Sequence, residues 1–153
     1  MKSIVLTGFM GSGKSTAGKL LAGALGLDFI DLDEEIERKA GKPIRDIFVQ
    51  DGEAVFRRME HDTATELAAR SFEKGAVIST GGGFLTNDAN AALFPRDSFD
   101  IIFVDRDFDE MYETIKDDSS RPVAAAMTRD ELRALYEARL PYYRKYATRT
   151  MRN

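Results

Sequence analysis

Short apolar runs alternate with longer amphipathic segments along this chain. Near-continuous apolar residues in "SIVLTG", "DFIDLD", "GAVIST" and "DIIFVD" predict four buried strands. Helical spacing begins at Lys14 and in "EEIERKAG", and it recurs at about 52–72, 108–116 and 129–146. Buried strands separated by helices are typical of a parallel sheet covered on both faces. Ligands of such α/β sheets bind beyond the carboxyl ends of the strands, so the residues after each strand are the first candidates for function.

The bulk properties narrow the class of protein. A chain of 153 residues without repeats or low-complexity tracts suits a single domain, 1–153. The net charge of −4 gives no overall indication of a nucleic-acid binder, and the lack of cysteine excludes disulfides, a thiolate nucleophile and cysteine-bound zinc. No apolar run is long enough to span a membrane, and "MKSIVLTG" is too short for a signal peptide. We therefore expect a cytoplasmic protein without nucleic-acid or membrane partners. We also expect a monomer, which these properties do not themselves indicate.

A phosphate-binding motif follows the first predicted strand. "GFMGSGKST" fits G-x-x-x-x-G-K-[ST] without a mismatch, and the required strand and helix flank it. Glycines allow backbone N–H groups to approach phosphate oxygens, and the start of the helix adds partial positive charge. Lys14 would reach the transferable phosphates and Ser15 would bind Mg²⁺. The phosphate-binding residues expected from this loop are Gly11, Ser12, Gly13, Lys14, Ser15 and Thr16.

Two carboxylates end the second predicted strand. Asp31 and Asp33 are two residues apart, which in an extended strand places both on one side. Beside a phosphate, such a pair could hold Mg²⁺ and accept the proton of a hydroxyl group. The alternative is that Asp33 caps the helix that starts at Glu34. The neighbouring phosphate loop favours the functional interpretation.

Two arginines are candidates for binding an anion. Arg139 lies on the apolar stripe of the last predicted helix, where a guanidinium group needs an anion or hydrogen-bond acceptors unless it reaches out to water. Arg57 follows Phe56 and is three residues before Glu60, which could hold it in place. Two arginines directed into one cleft would suit a carboxylate. His61 is interpreted as a helix-surface residue without a role.

Two glycine- or turn-rich segments complete the set of candidates. "ISTGGGF" places Gly81, Gly82 and Gly83 directly after an apolar strand, where they permit close approach of a small ligand. "KDDSSRPV" has a turn-forming composition and carries Arg121 ahead of a proline. A mobile arginine-bearing loop near a phosphate site indicates a lid, here at about 115–128, that closes over the phosphates. An ordinary loop arginine is the alternative.

Taken together, these segments resemble a shikimate kinase. The resemblance rests on "GFMGSGKST", "FIDLDEEIE", "GEAVFRRME", "VISTGGG", the "RP" of the lid and "ARLPYYRKYA", and it covers nearly the whole chain. It implies a P-loop NTPase fold of the α/β class, resembling nucleoside monophosphate kinases, with a five-stranded parallel sheet flanked by helices. It also implies transfer of the γ-phosphoryl group of ATP to the 3-hydroxyl of shikimate, with Mg²⁺, in aromatic amino-acid synthesis.

The resemblance implies a role for each candidate. Lys14 and Arg121 would be catalytic residues that contact phosphate, and Asp33 would bind the ring hydroxyls and take the proton. Ser15 would bind Mg²⁺ with Asp31 close by. The shikimate-binding residues would be Asp33, Arg57, Gly81, Gly82 and Arg139.

The nucleotide end departs from the family pattern. An arginine that stacks on adenine is common seven residues before the lid arginine, but this chain has Thr114 there, with Lys116 nearby. The lid reads "RPVAAAM" instead of "RPLL". The sequence ends at "ATRTMRN", before the adenine-facing loop that is usual in the family, so either that loop lies outside it or the adenine side is open. We therefore expect weak discrimination between ATP and GTP.

The alternatives to a shikimate kinase are a related kinase for sugar acids or nucleoside monophosphates and a non-catalytic binding module that retained its P-loop.

Overall fold

A five-stranded parallel sheet forms the centre of the fold in the computed structural model, which describes residues 2–118 and 121–153. The strands are β1 (Ser3–Thr7), β2 (Asp28–Asp31), β3 (Ala76–Ser79), β4 (Phe99–Asp105) and β5 (Arg149–Arg152). Their order in the sheet is β2-β3-β1-β4-β5, so β1 is central. Val5 of β1 lies opposite Ile78 of β3 and Ile101 of β4, and all three side chains are buried.

Helices cover both faces of the sheet. They are α1 (Lys14–Leu25), α2 (Leu32–Ala40), α3 (Ile44–Gln50), α4 (Glu53–Ala69), α5 (Asp88–Ala91), α6 (Phe108–Ile115), α7 (Pro122–Ala125) and α8 (Arg129–Tyr146), with a 3₁₀ turn at Phe84–Thr86. The apolar pattern predicted α1, α2, α4, α6 and α8, and the bounds 129–146 of the last helix are confirmed. The short helices α3, α5 and α7 carry too few turns to show a period, and they were not predicted.

The four strands predicted from apolar runs are present, and the fifth has no such signal. β5 reads "RTMR" and all of its residues are exposed. Backbone pairing defines it instead, because Arg149–Arg152 lie in parallel register with Ile102–Asp105. An exposed edge strand of this kind can be recognised only from its backbone pairing with the neighbouring strand. The five-stranded parallel sheet implied by the resemblance is therefore confirmed by pairing rather than by hydrophobicity.

Small residues bring α1 close to the sheet. Gly18 and Ala22 are its buried positions, whereas Leu20 is 71% exposed. A Cβ atom at Gly18 would lie 2.5 Å from the ring of Phe29 on β2, so a larger side chain could not be placed there. The close packing fixes the start of α1, and with it the phosphate loop, against the carboxyl end of β1.

The candidate residues gather at the carboxyl edge of the sheet, as expected for a parallel α/β fold. The phosphate loop follows β1, Asp31 ends β2, Gly81 lies just beyond β3, and Arg106 follows β4. Within 2–118 and 121–153, no helix is both long enough and apolar enough to cross a membrane.

Candidate active site

The loop between β1 and α1 has the conformation that its glycines predict. Gly11 and Gly13 adopt φ angles of +79° and +88°, a region that other residues rarely occupy. A Cβ atom at Gly11 would lie 2.8 Å from the carbonyl oxygen of Met111, and at Gly13 it would lie 2.4 Å from Nδ2 of Asn153. The loop is therefore closely packed between α6 and Asn153, the residue after β5. This packing explains why glycine is needed at both positions.

Lys14 lies over the loop that it follows. Its Nζ donates to the carbonyl oxygens of Gly8 and Phe9, at 2.7 and 3.0 Å. Burial lowers the pKa of Lys14 to about 8, although the nearby Asp33 opposes the shift. The buried Oγ of Ser12 has no hydrogen-bond partner among the described residues. A loop with a lysine and an unsatisfied hydroxyl suits phosphate oxygens, which accept hydrogen bonds from both.

Asp31 connects the phosphate loop to the start of α2. Its Oδ2 accepts a hydrogen bond of 2.9 Å from Oγ of Ser15. Its Oδ1 accepts from the backbone N–H groups of Asp33 and Glu34 and so caps the helix. The predicted capping role therefore belongs to Asp31 and not to Asp33. A serine hydroxyl beside a carboxylate also suits Mg²⁺, which takes one or two protein oxygens together with phosphate and water.

Asp33 is in the first turn of α2, so the strand geometry predicted for it is wrong. The strand β2 ends at Asp31. Asp33 nevertheless lines the same cavity as Lys14, Ser15 and Asp31. Its Oδ1 is buried without a hydrogen-bond partner among the described residues. Burial, and then the charges of Asp31 and Glu60, raise its pKa to about 7, while Lys14 acts in the opposite direction. A carboxylate with a raised pKa and a free oxygen is a suitable proton acceptor.

Two guanidinium groups converge on the triple glycine. A Cβ atom at Gly83 would lie 2.9 Å from Nη1 of Arg57 and 3.1 Å from Nη2 of Arg139. The predicted pairing of Arg57 with Glu60 is present, at 3.2 Å, and Glu60 is only 1% exposed. Burial raises the pKa of Glu60 and lowers that of Arg139. The two arginines and the buried glutamate therefore form one charged group at the end of β3.

Tyr143 and Phe9 lie close to Arg139. Tyr143, one turn later on α8 and fully buried, donates a 2.6 Å hydrogen bond from its hydroxyl to the carbonyl oxygen of Gly82. Arg139 also lies 5.8 Å from the ring centroid of Phe9. Its guanidinium group is thus directed inwards, as the apolar stripe of α8 predicted.

These groups line two adjoining cavities. The acceptor cavity, of about 420 Å³, is lined by residues that include Asp33, Arg57, Gly83 and Arg139. The nucleotide cavity, of about 460 Å³, is lined by Gly11, Gly13, Lys14, Ser15, Thr16, Asp31, Arg106 and Thr114, among others. Both cavities share Met10, Asp33, Gly81, Gly82 and Arg121. A group passed from one cavity to the other must therefore cross beside Asp33 and Arg121.

Arg121 lies at the boundary of the two cavities. Its Nε donates to Oδ2 of Asp118 at 2.9 Å, and it precedes α7. Residues 119 and 120 of the predicted lid, 115–128, lie outside the described residues. The mobility of the lid stays a prediction. The position of Arg121 between the cavities suits the predicted contact with a transferring phosphoryl group.

Sequence reasoning missed Arg106 and the role of His61. The Arg106 guanidinium group donates to the carbonyl oxygen of Gly11 at 2.9 Å and to Oγ1 of Thr114 at 3.1 Å. Nδ1 of His61 lies 2.6 Å from Oδ1 of the buried Asn90, so His61 connects α4 to α5 in addition to facing solvent. Arg106 follows β4 and His61 lies in the middle of α4, and neither position indicates its partner in the fold. Both contacts depend on the tertiary arrangement.

Comparisons with known proteins extend over nearly the whole chain. The family described as shikimate kinase matches residues 10–153. A shikimate kinase of Sulfurihydrogenibium sp. (strain YO3AOP1) is 40% identical over 144 residues, which are 94% of this chain and 84% of the relative. That of Streptococcus gordonii is 40% identical over 148 residues, 95% and 87% of the two chains. The structure of the Acinetobacter baumannii shikimate kinase in complex with shikimate superposes with a TM-score of 0.93 at 34% identity, covering 100% of this chain and 84% of the other.

Proposed function

This chain belongs to the shikimate kinase family, whose members phosphorylate shikimate with ATP, and we propose which of its residues carry out that transfer. The acceptor cavity would hold shikimate and the nucleotide cavity would hold ATP. Asp33 and Arg121, at the boundary, would lie on either side of the reacting atoms. The 3-hydroxyl is the proposed acceptor.

The convergence of Arg57 and Arg139 on Gly82 and Gly83 is the observation that carries the proposal. Two guanidinium groups can each give paired N–H···O bonds to one carboxylate. Glu60 fixes Arg57, and Tyr143 fixes the backbone of Gly82, so one charged donor and the backbone beside the other are held in place before the ligand arrives. The acceptor should therefore carry a carboxylate at this end and a hydroxyl group towards Asp33. Shikimate has both.

Asp33 is the proposed proton acceptor. A hydroxyl oxygen that attacks phosphorus must lose its proton during the transfer, and a nearby carboxylate can take it. With a pKa raised to about 7, Asp33 is a stronger base than an ordinary aspartate. The proton moves from the shikimate hydroxyl to Oδ of Asp33 while the oxygen bonds to the γ-phosphorus and the bond to the ADP oxygen breaks.

Lys14 and Arg121 are the proposed electrostatic catalysts. The backbone N–H groups from Gly11 to Thr16 would bind the phosphate chain at the start of α1, where the helix adds partial positive charge. Lys14 would exchange its contacts with the loop carbonyls for phosphate oxygens. Arg121, at the boundary of the cavities, would neutralise charge on the phosphoryl group as it moves.

Mg²⁺ would be held by Ser15, with Asp31 beside it. The 2.9 Å contact between Oγ of Ser15 and Oδ2 of Asp31 places a hydroxyl and a carboxylate together at the phosphate end of the cavity. Among the described residues, no group of three or more histidine or acidic side chains could form a metal cage. That composition suits a metal that is bound largely by nucleotide phosphates. When bound, it would neutralise charge on the phosphate chain.

We further propose that the enzyme acts as a cytoplasmic monomer on these two small substrates, without a nucleic-acid or membrane partner. The net charge of −4 supports the absence of a nucleic-acid surface. The cytoplasm is where ATP would be available.

A coupled ADP-release assay tests the assignment of the acceptor. Purified protein with ATP and Mg²⁺ should release ADP when shikimate is added, and not with gluconate or nucleoside monophosphates. Arg139→Lys should lose most of the shikimate-dependent rate at low shikimate. Equal rates with gluconate, or a rate insensitive to Arg139, would contradict the proposed acceptor cavity.

A further inference from the structure

We propose that Arg106 is the contact for the nucleotide base, presenting the face of its guanidinium group to the ring. This inference rests on the proposed function, because it takes the nucleotide cavity to hold ATP. The sequence pattern assigns no role to Arg106.

The geometry of the cavity fixes where the base must lie. The acceptor end is defined by Asp33, Gly81 and Gly82, which both cavities share. A nucleotide with its phosphates on the loop must extend away from that end. Arg106 and Thr114 line the nucleotide cavity but not the acceptor cavity. Outside the phosphate loop, the residues that line only the nucleotide cavity are Asp31, Ser79, Thr80, Arg106 and Thr114, and Arg106 is the cation among them.

Arg106 is held on three sides. Nη1 donates to the carbonyl oxygen of Gly11 and to Oγ1 of Thr114, and Nε donates to a carboxylate oxygen of Glu110 at 3.3 Å. Among the hydrogen bonds of the described residues, none uses Nη2. The side chain is 28% exposed. The plane of the guanidinium group is thus fixed between the phosphate loop and α6.

A fixed planar cation suits an aromatic ring more than it suits another anion. Guanidinium groups stack on flat rings and make cation–π contacts, and little conformational freedom is lost when the plane is already fixed. The contact is made by the face of the group, so it does not distinguish one purine from another. Arg106 would therefore strengthen nucleotide binding without giving preference to adenine.

Lys116, the other cation considered for this end, does not fit the role. Its Nζ pairs with Glu113 at 2.8 Å, and it lines neither cavity. An ammonium group also has no flat face. The position of Arg106 inside the cavity favours it over Lys116.

Binding of three probes to the full chain, without shikimate, tests the proposal. The probes are ATP, GTP and inorganic tripolyphosphate, each with Mg²⁺, and calorimetry measures the dissociation constants. Arg106→Ala should weaken ATP and GTP alike, by about two- to thirty-fold, because a cation–π contact is lost. Tripolyphosphate, which has no base, should bind within about twofold of the wild type. Arg38→Ala removes an ion-paired arginine that lines neither cavity, and it should change none of the three.

Arg106→Lys separates the flat face from the charge. We expect it to behave like Arg106→Ala towards ATP while tripolyphosphate binding is kept, which also shows that the protein is folded. Parallel weakening of ATP and tripolyphosphate would mean that Arg106 only supports the phosphate loop through Gly11, and would overturn the proposal. Unchanged ATP binding in either variant would overturn it as well. Because shikimate is absent, these outcomes are independent of whether the acceptor is correctly assigned.

Discussion

Tyr143 donates a 2.6 Å hydrogen bond to the carbonyl oxygen of Gly82, which joins the last helix to the loop after β3. The tyrosine is buried, and Arg139 lies one turn before it on the same helix. The contact therefore couples the position of the triple glycine to the position of an arginine that would bind the substrate.

Tyr143→Phe should weaken shikimate binding without affecting ATP. The variant keeps the ring but leaves the Gly82 carbonyl oxygen without its donor. Loss of one buried hydrogen bond costs about 0.5–1.5 kcal/mol, so the KM for shikimate should rise by about two- to ten-fold. Steady-state kinetics with each substrate varied, together with a thermal melt, measure the effect. An unchanged shikimate KM, or an equal rise in the ATP KM, would show that the contact serves stability alone.

Arg139→Lys should raise the KM for shikimate more strongly. The planar fork that can make two parallel bonds is replaced by a single charge, with a loss of about 1–3 kcal/mol. ATP binding should be nearly unchanged, because Arg139 lines the acceptor cavity and not the nucleotide cavity. Titration of both substrates against the variant provides the measurement. A matching loss of ATP affinity would contradict the assignment of Arg139 to the acceptor.

Asp33→Asn should remove most turnover while the protein stays folded. An amide can hydrogen-bond a hydroxyl group but is a poor proton acceptor, and positioned acid–base catalysis contributes about 10²–10⁴-fold. The capping of α2 is not at risk, because Asp31 provides it. A circular-dichroism melt recorded beside the assay separates folding from catalysis. Survival of most of the activity would exclude Asp33 as the base.

The pH dependence of stability should also change in Asp33→Asn. Folding raises the pKa of Asp33 from 3.8 to about 7. Below about pH 4 the Asp33 carboxyl group is protonated in both the folded and the unfolded protein. Between about pH 4 and 7 it is ionised in the unfolded chain but still protonated in the folded protein. The free energy of unfolding of the wild type therefore falls as the pH rises through this range. Asparagine does not titrate, so the variant lacks this loss of stability. The free energy of unfolding of the variant, relative to that of the wild type, should therefore increase from about pH 4 to about pH 7 and stay constant above it. Parallel curves from pH 4 upwards would mean that the Asp33 pKa is not raised.

ATP and GTP should be discriminated only weakly. Backbone N–H groups and Lys14 contact phosphate oxygens, which are the same in both nucleotides. Thr114 cannot stack on a base as an arginine would, and a face contact from Arg106 does not read the edge of the ring. We therefore expect a preference below about thirty-fold in a competitive titration, which is less than one base-specific contact of about 2 kcal/mol would give. A preference above a hundredfold would require a base-reading group that none of these residues provides.

The sequence predicted those features that depend on local pattern. Gly11 to Thr16 formed the expected loop because a fixed spacing of glycines, lysine and serine defines it. The inward direction of Arg139 followed from its place on the stripe of α8. Asp33 was brought to the cleft by a helical turn instead of by the strand alternation that was predicted, because β2 ends two residues earlier.

The features that were missed depend on contacts between distant segments. The exposed strand β5 is defined only by pairing with β4. Asn153 donates from Nδ2 to the carbonyl oxygen of Ser12 at 2.7 Å, and Arg106 reaches the carbonyl oxygen of Gly11. Such pairs join residues more than 90 positions apart. No local period or motif in a single sequence indicates them.

The central claim is that two arginines select the acceptor by its carboxylate while Asp33 takes the proton of its hydroxyl group. The most direct test compares kcat/KM of the wild-type protein on shikimate and on shikimate methyl ester, which keeps every hydroxyl group but lacks the negative charge. We predict a loss of at least about tenfold on the ester, the scale of one charged hydrogen bond or more, and a much smaller ratio between the two substrates in Arg139→Lys. Equal kcat/KM on the acid and the ester in the wild-type protein would contradict the account.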